Sequence, residues 1–331
     1  MVQSSKAKSA DLTQSDVTDL VKDAIEKAGG LDFIKEGNTV VLKPNLVSSY
    51  SDMMKMTTLN PLANGVCTDW RVVKAVADLV RAKNKNGKIL VMEGSVDSTT
   101  KAYSNLGYTK ENFGTSVDEI IALEGTSCTN TSTDGLEQKE LGGKKFWVNS
   151  RYLHADVVIS LPTMKTHLIA GITGGVKNLG IGMTPVGQYP TGTNGPNDCT
   201  RGQTAAVIDH SGPEPLGQFI HDYYSLRPAD FVVMDALDGI EHGPSPCWDN
   251  ADYEKSRKNM RMILAGKNAV AVDTVEALVM KCDPKKVPHL TKLEADGIGT
   301  TDIAKISVVG KQISEVATPF AGKLTDICPG Q

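Results

Sequence analysis

Between His154 and Pro185 the sequence reads HADVVISLPTMKTHLIAGITGGVKNLGIGMTP, with Lys165, His167 and Lys177 standing among five glycines. In GITGGVKN, glycine accepts positive φ and has no Cβ, so successive backbone N–H groups can turn toward one negative ligand. Gly174, Gly175 and the Thr173 hydroxyl would supply donors, Lys177 a full charge, and Lys165 and Asn178 would stand beside it. The Walker spacing G-x-x-x-x-G-K-[ST] is absent, since Asn178 follows the lysine, and no G-x-G-x-x-G follows the first strand. Ordinary kinase, ATPase and nicotinamide-dehydrogenase chemistry is therefore disfavoured. Each residue also has a plainer reading. Gly174-Gly175 can serve a tight turn, Lys165 a solvated surface and His167 a hydrogen bond in the core. Asp273 can cap a helix or bond backbone.

These side chains act together only if the elements that carry them end at one place. In an open α/β sheet that place lies beyond the carboxyl ends of the strands. NTVVLKPN ends in Lys43 and Asn45, KILVME ends in Glu93, and DVVISL leads to Lys165, His167 and Lys177. DFVVM leads into an acidic loop with Asp235, Asp238, Glu241 and His242, and RMILAG leads to Lys267 with Asp273 in the next helix. The expected site takes a small anionic molecule, its lysines neutralising carboxylate or phosphate while Glu93 or His167 moves a proton. A second reading is a non-catalytic metal or anion sensor, or an accessory protein for a redox partner protein. In it His167, His210 and His242, with Asp235 and Glu241, give nitrogen and oxygen ligands to a divalent metal. His154, His221 and His289 have no partner visible in the sequence, which favours structural or surface roles.

Helical periodicity runs from Ser15, the expected N-cap, to Gly29-Gly30, and again over TDWRVVKAVADLVRAK behind Thr68 or Asp69. PLGQFIHDYYSL, NAVAVDTVEALVMKC and VPHLTKLEADG are further helices; QKELGGKKFWVN is a hairpin, and KISVVG a last strand. Short apolar strands alternating with amphipathic helices predict an α/β fold, a mainly parallel sheet covered on both faces. Residues 1–13 are expected to be loosely held, and 14–331 to form one domain with an irregular insertion at about 95–150.

With 331 residues, 40% hydrophobic and 22% charged, the chain has ample core-forming material. Its formal charge of −4 gives no overall basic field for nucleic acid or an anionic membrane, so anion binding must be local. No apolar run reaches the roughly 20 residues of a membrane span. The first residues lack the apolar core of a signal peptide, so a cytoplasmic protein is favoured and an exported mature chain remains open. The six cysteines form no C-x-x-C, so no iron–sulfur cluster is expected from them. Reduced thiols are the plain reading, and disulfides after export the other.

VVLKPNLV, ADVVISLPTMKTH, GGVKNLGIG, His210, VVMDALDGIEHGP, GKNAVAVDTVEALVM and ISVVG occur in this order. Together they closely resemble the domain-of-unknown-function family DUF362, from about Thr39 to Gly310. Some relatives carry a ferredoxin-like module with clustered cysteines, hence an iron–sulfur label, and this sequence departs from them in having no such cluster. The spacing H-x-x-x-G-x-x-G-G-x-K, His167 to Lys177, is more distantly similar to nickel-pincer lactate racemases. That resemblance implies a nickel-pincer nucleotide held by Lys177, proton transfer at His167 and His210 as metal ligand. The racemases have a second catalytic histidine where Glu93 stands here. A one-sided redox or lyase reaction, or binding without chemistry, remains open.

Overall fold

The structure, a computed structural model, describes residues 1–52, 55–96, 98–123, 135–185 and 208–330. Its first strands are β1 (Val2–Gln3), β2 (Thr39–Pro44), β3 (Tyr50–Asp52), β4 (Thr57–Thr58), β5 (Lys88–Glu93), β6 (Glu119–Ala122) and β7 (Leu136–Leu141). They continue as β8 (Lys144–Asn149), β9 (Val157–Leu161), β10 (Thr163–His167), β11 (Gly171–Ile172), β12 (Phe231–Ile240) and β13 (Arg257–Gly266). The helices begin with α1 (Gln14–Lys27), α2 (Trp70–Lys83), α3 (Thr99–Asn105), α4 (Lys110–Phe113), α5 (Ser150–Leu153) and α6 (Gly174–Gly182). After them come α7 (Pro213–Leu226), α8 (Tyr253–Ser256), α9 (Ala269–Val279), α10 (Pro288–Ala295) and α11 (Ile313–Val316).

The main sheet has the order β1-β13-β12-β9-β2-β5-β6, with β10 and β11 joined to it at β12. β2 pairs in parallel with β5 and β9, β5 with β6, and β9 with β12. Only the β12–β13 and β13–β1 pairings of this path are antiparallel. Side chains alternate across the sheet. Val40, Leu42, Ile89 and Val91 therefore pack with Val17, Val21, Val72 and Val76 of α1 and α2. Val41, Leu90, Met92 and Val232 face the other way, against Val176, Ile220, Val275 and Leu290 of α6, α7, α9 and α10. The expected α/β architecture, mainly parallel with helices on both faces, is the observed one.

From β2 the chain builds outward to β5 and β6, then returns to β9 on the opposite side of β2. That reversal opens a crevice between the carboxyl ends of β2 and β9. Lys43 shares a face with Val41, so the sheet alternation aims it toward α6.

Several expectations change. β13 runs antiparallel, and its last residue, Gly266, pairs with Val232 near the start of β12. Lys267 therefore lies at the opposite end of the sheet, lining a cleft of about 600 Å³ with Lys27, Gly29 and Val308. KISVVG forms no strand, because β1 already occupies the β13 edge. It runs beside Met1 instead, whose amine donates to Val309 O at 2.6 Å. The first residues, expected to be loose, hold that edge strand and a buried Ser9. Thr13, not Ser15, caps α1: its hydroxyl accepts from Asp16 N at 3.2 Å while Asp16 accepts from Thr13 N at 2.7 Å. Within residues 95–150, β6 joins the main sheet, and only β7–β8 forms a separate hairpin. Cys282 and Cys328 are disulfide-bonded, against the plain reading of reduced thiols throughout. Cys128 and Cys199 lie outside the described residues. Among the described residues, no helix is long and apolar enough to cross a membrane.

Candidate functional site

α6 starts at Gly174 with φ +62°, a conformation glycine adopts without strain. Its first N–H groups already have an acceptor. Asp273 of α9 accepts from Gly175 N at 2.6 Å and Val176 N at 2.9 Å. Glu276, one turn further along α9, accepts from Lys165 N at 3.2 Å and from the Gly174 backbone. A Cβ on Gly174 would lie 2.4 Å from the Asp273 carboxyl carbon. The anion nest expected of Gly174 and Gly175 is thus filled by the chain's own carboxylates, and the plainer reading of Asp273 as a backbone partner is the one observed. Burial pushes Asp273 up to about 7 against the pull of its two N–H donors. Gly182 serves another close approach, since a Cβ there would sit 2.4 Å from Lys43 Nζ. The Thr173 hydroxyl is buried and has no partner among the described residues.

Three lysines meet beyond the strand ends. Lys43, fully buried, lies 2.8 Å from Glu93 Oε1 and donates to Pro44 O at 2.6 Å and Asn178 Oδ1 at 3.1 Å. Glu93 also accepts from Leu46 N at 2.6 Å and Gly94 N at 2.8 Å. Its carboxylate is committed as countercharge to Lys43, which leaves the expected proton-carrying role without a free oxygen. Glu93→Gln should strand a buried ammonium among neutral acceptors. A cost of about 3–5 kcal/mol in urea unfolding is expected, and one below about 1 kcal/mol would contradict the pairing.

Lys165, also fully buried, donates to Asn45 Oδ1 at 2.6 Å and Val66 O at 2.5 Å, both neutral acceptors. Asn45 reaches Asn178 at 3.3 Å, and Asn178 donates to Lys43 O at 3.0 Å and Ser160 Oγ at 3.1 Å. The two amides therefore tie β2, β9 and α6 together around the ammoniums. Lys177 is 9% exposed, and no acceptor among the described residues meets its ammonium. Burial, then Lys165 and Lys43, push its pKa down to about 7. Burial pushes Lys165 down to about 8.

His167 is held in one tautomer. Its Nδ1 accepts from Ile169 N at 3.1 Å and Ala170 N at 3.0 Å, so the proton sits on Nε2. Burial and the nearby Lys177, Lys165, His210 and His289 hold its pKa well below the ordinary imidazole value. The ring is a neutral donor, and the lone pair a general base needs is already used. His210 is exposed, its pKa lowered by partial burial and by Lys177. Sequence reasoning missed two residues near this cluster. Cys67, whose thiol donates to Ser48 O at 3.0 Å, lies within electrostatic range of Lys43 and Lys165. His289 lies within range of Lys177. A cysteine in a loop and a histidine in VPHL carry no spacing signal.

The expected acidic loop is mostly strand, with Asp235 and Asp238 inside β12 and only Glu241 and His242 beyond it, and its side chains have partners of their own. Asp235 accepts from Asp69 N at 2.7 Å and Leu237 N at 2.9 Å, and Asp238 faces Arg257 at 2.6 Å. Glu241 pairs with Lys258 at 2.9 Å, and His242 with Asp249 at 3.1 Å. The expected metal set of His210, His242 and Asp235 is therefore not gathered, because each of the last two faces its own internal partner. Among the described residues no three His, Cys, Asp or Glu side chains are grouped to hold a metal ion. Among the described residues these donors form no preassembled divalent centre, and the α6 N–H groups that could cradle a nucleotide phosphate are taken by Asp273 and Glu276.

Fold and site define an α/β protein with a buried lysine cluster at a switch-point crevice. The chain belongs to the family described as Domain of unknown function (DUF362), which matches residues 40–277. It is 24% identical over 279 residues to "Thylakoid-associated protein sll1697" of Synechocystis sp., covering 84% of this chain and 74% of that protein. Among solved structures it is distantly similar to the lactate racemase apoprotein from Thermoanaerobacterium thermosaccharolyticum, at TM-score 0.42 and 17% identity. That likeness covers 76% of this chain and 52% of the racemase, so the chain spans about half the racemase's length.

Proposed function

We propose that the protein binds a small carboxylate- or phosphate-bearing molecule in the β2–β9 crevice, anchored by Lys165 and Lys177. One observation carries this reading: the fully buried Lys165 in β10 and the largely buried Lys177 in α6 have no carboxylate at ion-pair distance among the described residues. An uncompensated buried charge is costly, and a bound anion removes that cost. Lys165 keeps its charge at neutral pH, whereas Lys177 is divided between amine and ammonium. The bound anion holds Lys177 as ammonium, which can give a proton to the bound molecule, whereas His167 with its Nδ1 already accepting cannot take one. Turnover by this route is one-sided, because Glu93 is fully engaged by Lys43 and two N–H donors. The same engagement favours a second reading, an anion-binding protein without turnover.

Oxalate, fully ionised above pH 6, is a suitable probe. Binding needs charged lysines, which the unliganded protein loses as pH rises through about 7 and about 8. Calorimetric affinity should fall at least about tenfold from pH 6 to pH 9, with proton uptake on binding at pH 8. Equal affinity at both pH values, with no proton uptake, would remove the proposal.

A further inference from the structure

We propose that His289 is a ligand-binding residue of the Lys177 site, offering one ring N–H to an oxygen of the anion held there. The inference deepens the anion-binding reading and rests on it. His289 is fully buried, yet neither Nδ1 nor Nε2 has a hydrogen-bond partner among the described residues. An imidazole always carries at least one N–H, and a buried donor left unpaired costs about 1–3 kcal/mol. Buried polar groups are nearly all satisfied in folded proteins, so a ring orphaned at both nitrogens points to a group that joins it on binding.

Placement supplies the second line of argument. His289 sits in the first turn of α10, which packs against α7 and touches α6, the helix that carries Lys177. The approach to α7 is close: a Cβ on Gly217 would lie 2.6 Å from Pro288 Cβ and 3.2 Å from His289 N. This approach fixes the α10 backbone at His289 against α7. Burial, and then the Lys177 ammonium, lower its pKa to about 3, so the ring is neutral and keeps an N–H to donate. Four residues before Lys177, the Thr173 hydroxyl is likewise buried without a partner among the described residues. A hydroxyl, an imidazole and an ammonium without acceptors are the complement of one small oxyanion.

The alternative is an apolar-packed core histidine, and two measurements separate the readings. Oxalate and inorganic phosphate are titrated into the wild-type protein, His289→Leu and His289→Gln, with urea unfolding to establish that each variant folds. His289→Leu should weaken binding at least about tenfold, the weight of one hydrogen bond to a charged group. His289→Gln, which keeps an N–H, should recover much of the loss. In the wild-type protein one His289 ring-nitrogen resonance should move when either probe saturates the site. Wild-type affinity in His289→Leu with an unmoved ring resonance overturns this inference and leaves the Lys177 reading standing. If the wild-type protein binds neither probe, both fall together.

Discussion

Replacing Lys177 with methionine is expected to stabilise the unliganded protein while abolishing oxalate binding. The side chain is 9% exposed, its ammonium meets no acceptor among the described residues, and Lys165 and Lys43 lie within electrostatic range. A methionine of similar length keeps the packing and removes the charge. Exchanging buried charges for apolar side chains commonly gains about 1–4 kcal/mol. The gain has a definite pH dependence. The folded pKa, about 7, lies below the unfolded value near 10.4, so in that interval the unfolded chain holds a proton the folded chain has shed. Lys177 therefore destabilises most at and below about pH 7, and progressively less toward pH 10. Urea unfolding of both proteins at pH 6 and pH 9.5 should show the variant's advantage shrinking as pH rises. A destabilised Lys177→Met, or one that still binds oxalate, would mean that the side chain serves packing rather than a ligand. Stability given up at a binding site is common where function requires an uncompensated charge.

The second large effect concerns Asp273. Alanine there should cost about 2–6 kcal/mol, because the Gly175 and Val176 N–H groups would lose their buried acceptor together. Asparagine keeps one carbonyl oxygen for one of the two donors and should fall between wild type and alanine. Gly174→Ala tests the same contact from the other side, since its Cβ would meet the Asp273 carboxyl carbon at 2.4 Å and φ is +62°. If Asp273→Ala cost less than about 1 kcal/mol and bound oxalate more tightly, the α6 N–H groups would be an anion site held shut by Asp273.

The site residues were legible where a general rule of the fold fixes position. Lys43, Glu93 and Lys165 stand at or just after strands whose apolar runs are plain in the sequence, and parallel pairing then brings the strand ends to one edge. The same rule misled at Lys267, because strand direction is set by pairing and β13 runs antiparallel beside β12. Glycine spacing announced close approach at Gly174 but not the identity of the approaching group. Asp273 lies far along the chain and reached that place only through the packing of α9 on α6. Likewise, nothing in VPHLTKL distinguishes His289 from a surface histidine until α10 is docked. Acidic residues after DFVVM suggested a shared site, yet Asp235, Asp238, Glu241 and His242 each found a different partner nearby. Residue type and strand-end position carried the lysine cluster; partner choice required the packed structure.

The most direct test is an NMR titration of the lysine side-chain amines, with Lys177 assigned by its methionine variant, with and without saturating oxalate. The account predicts a Lys177 midpoint near 7 in the free protein and one above about 9 when the anion is bound. An ordinary midpoint near 10.4 in the free protein, unchanged by oxalate, would contradict it.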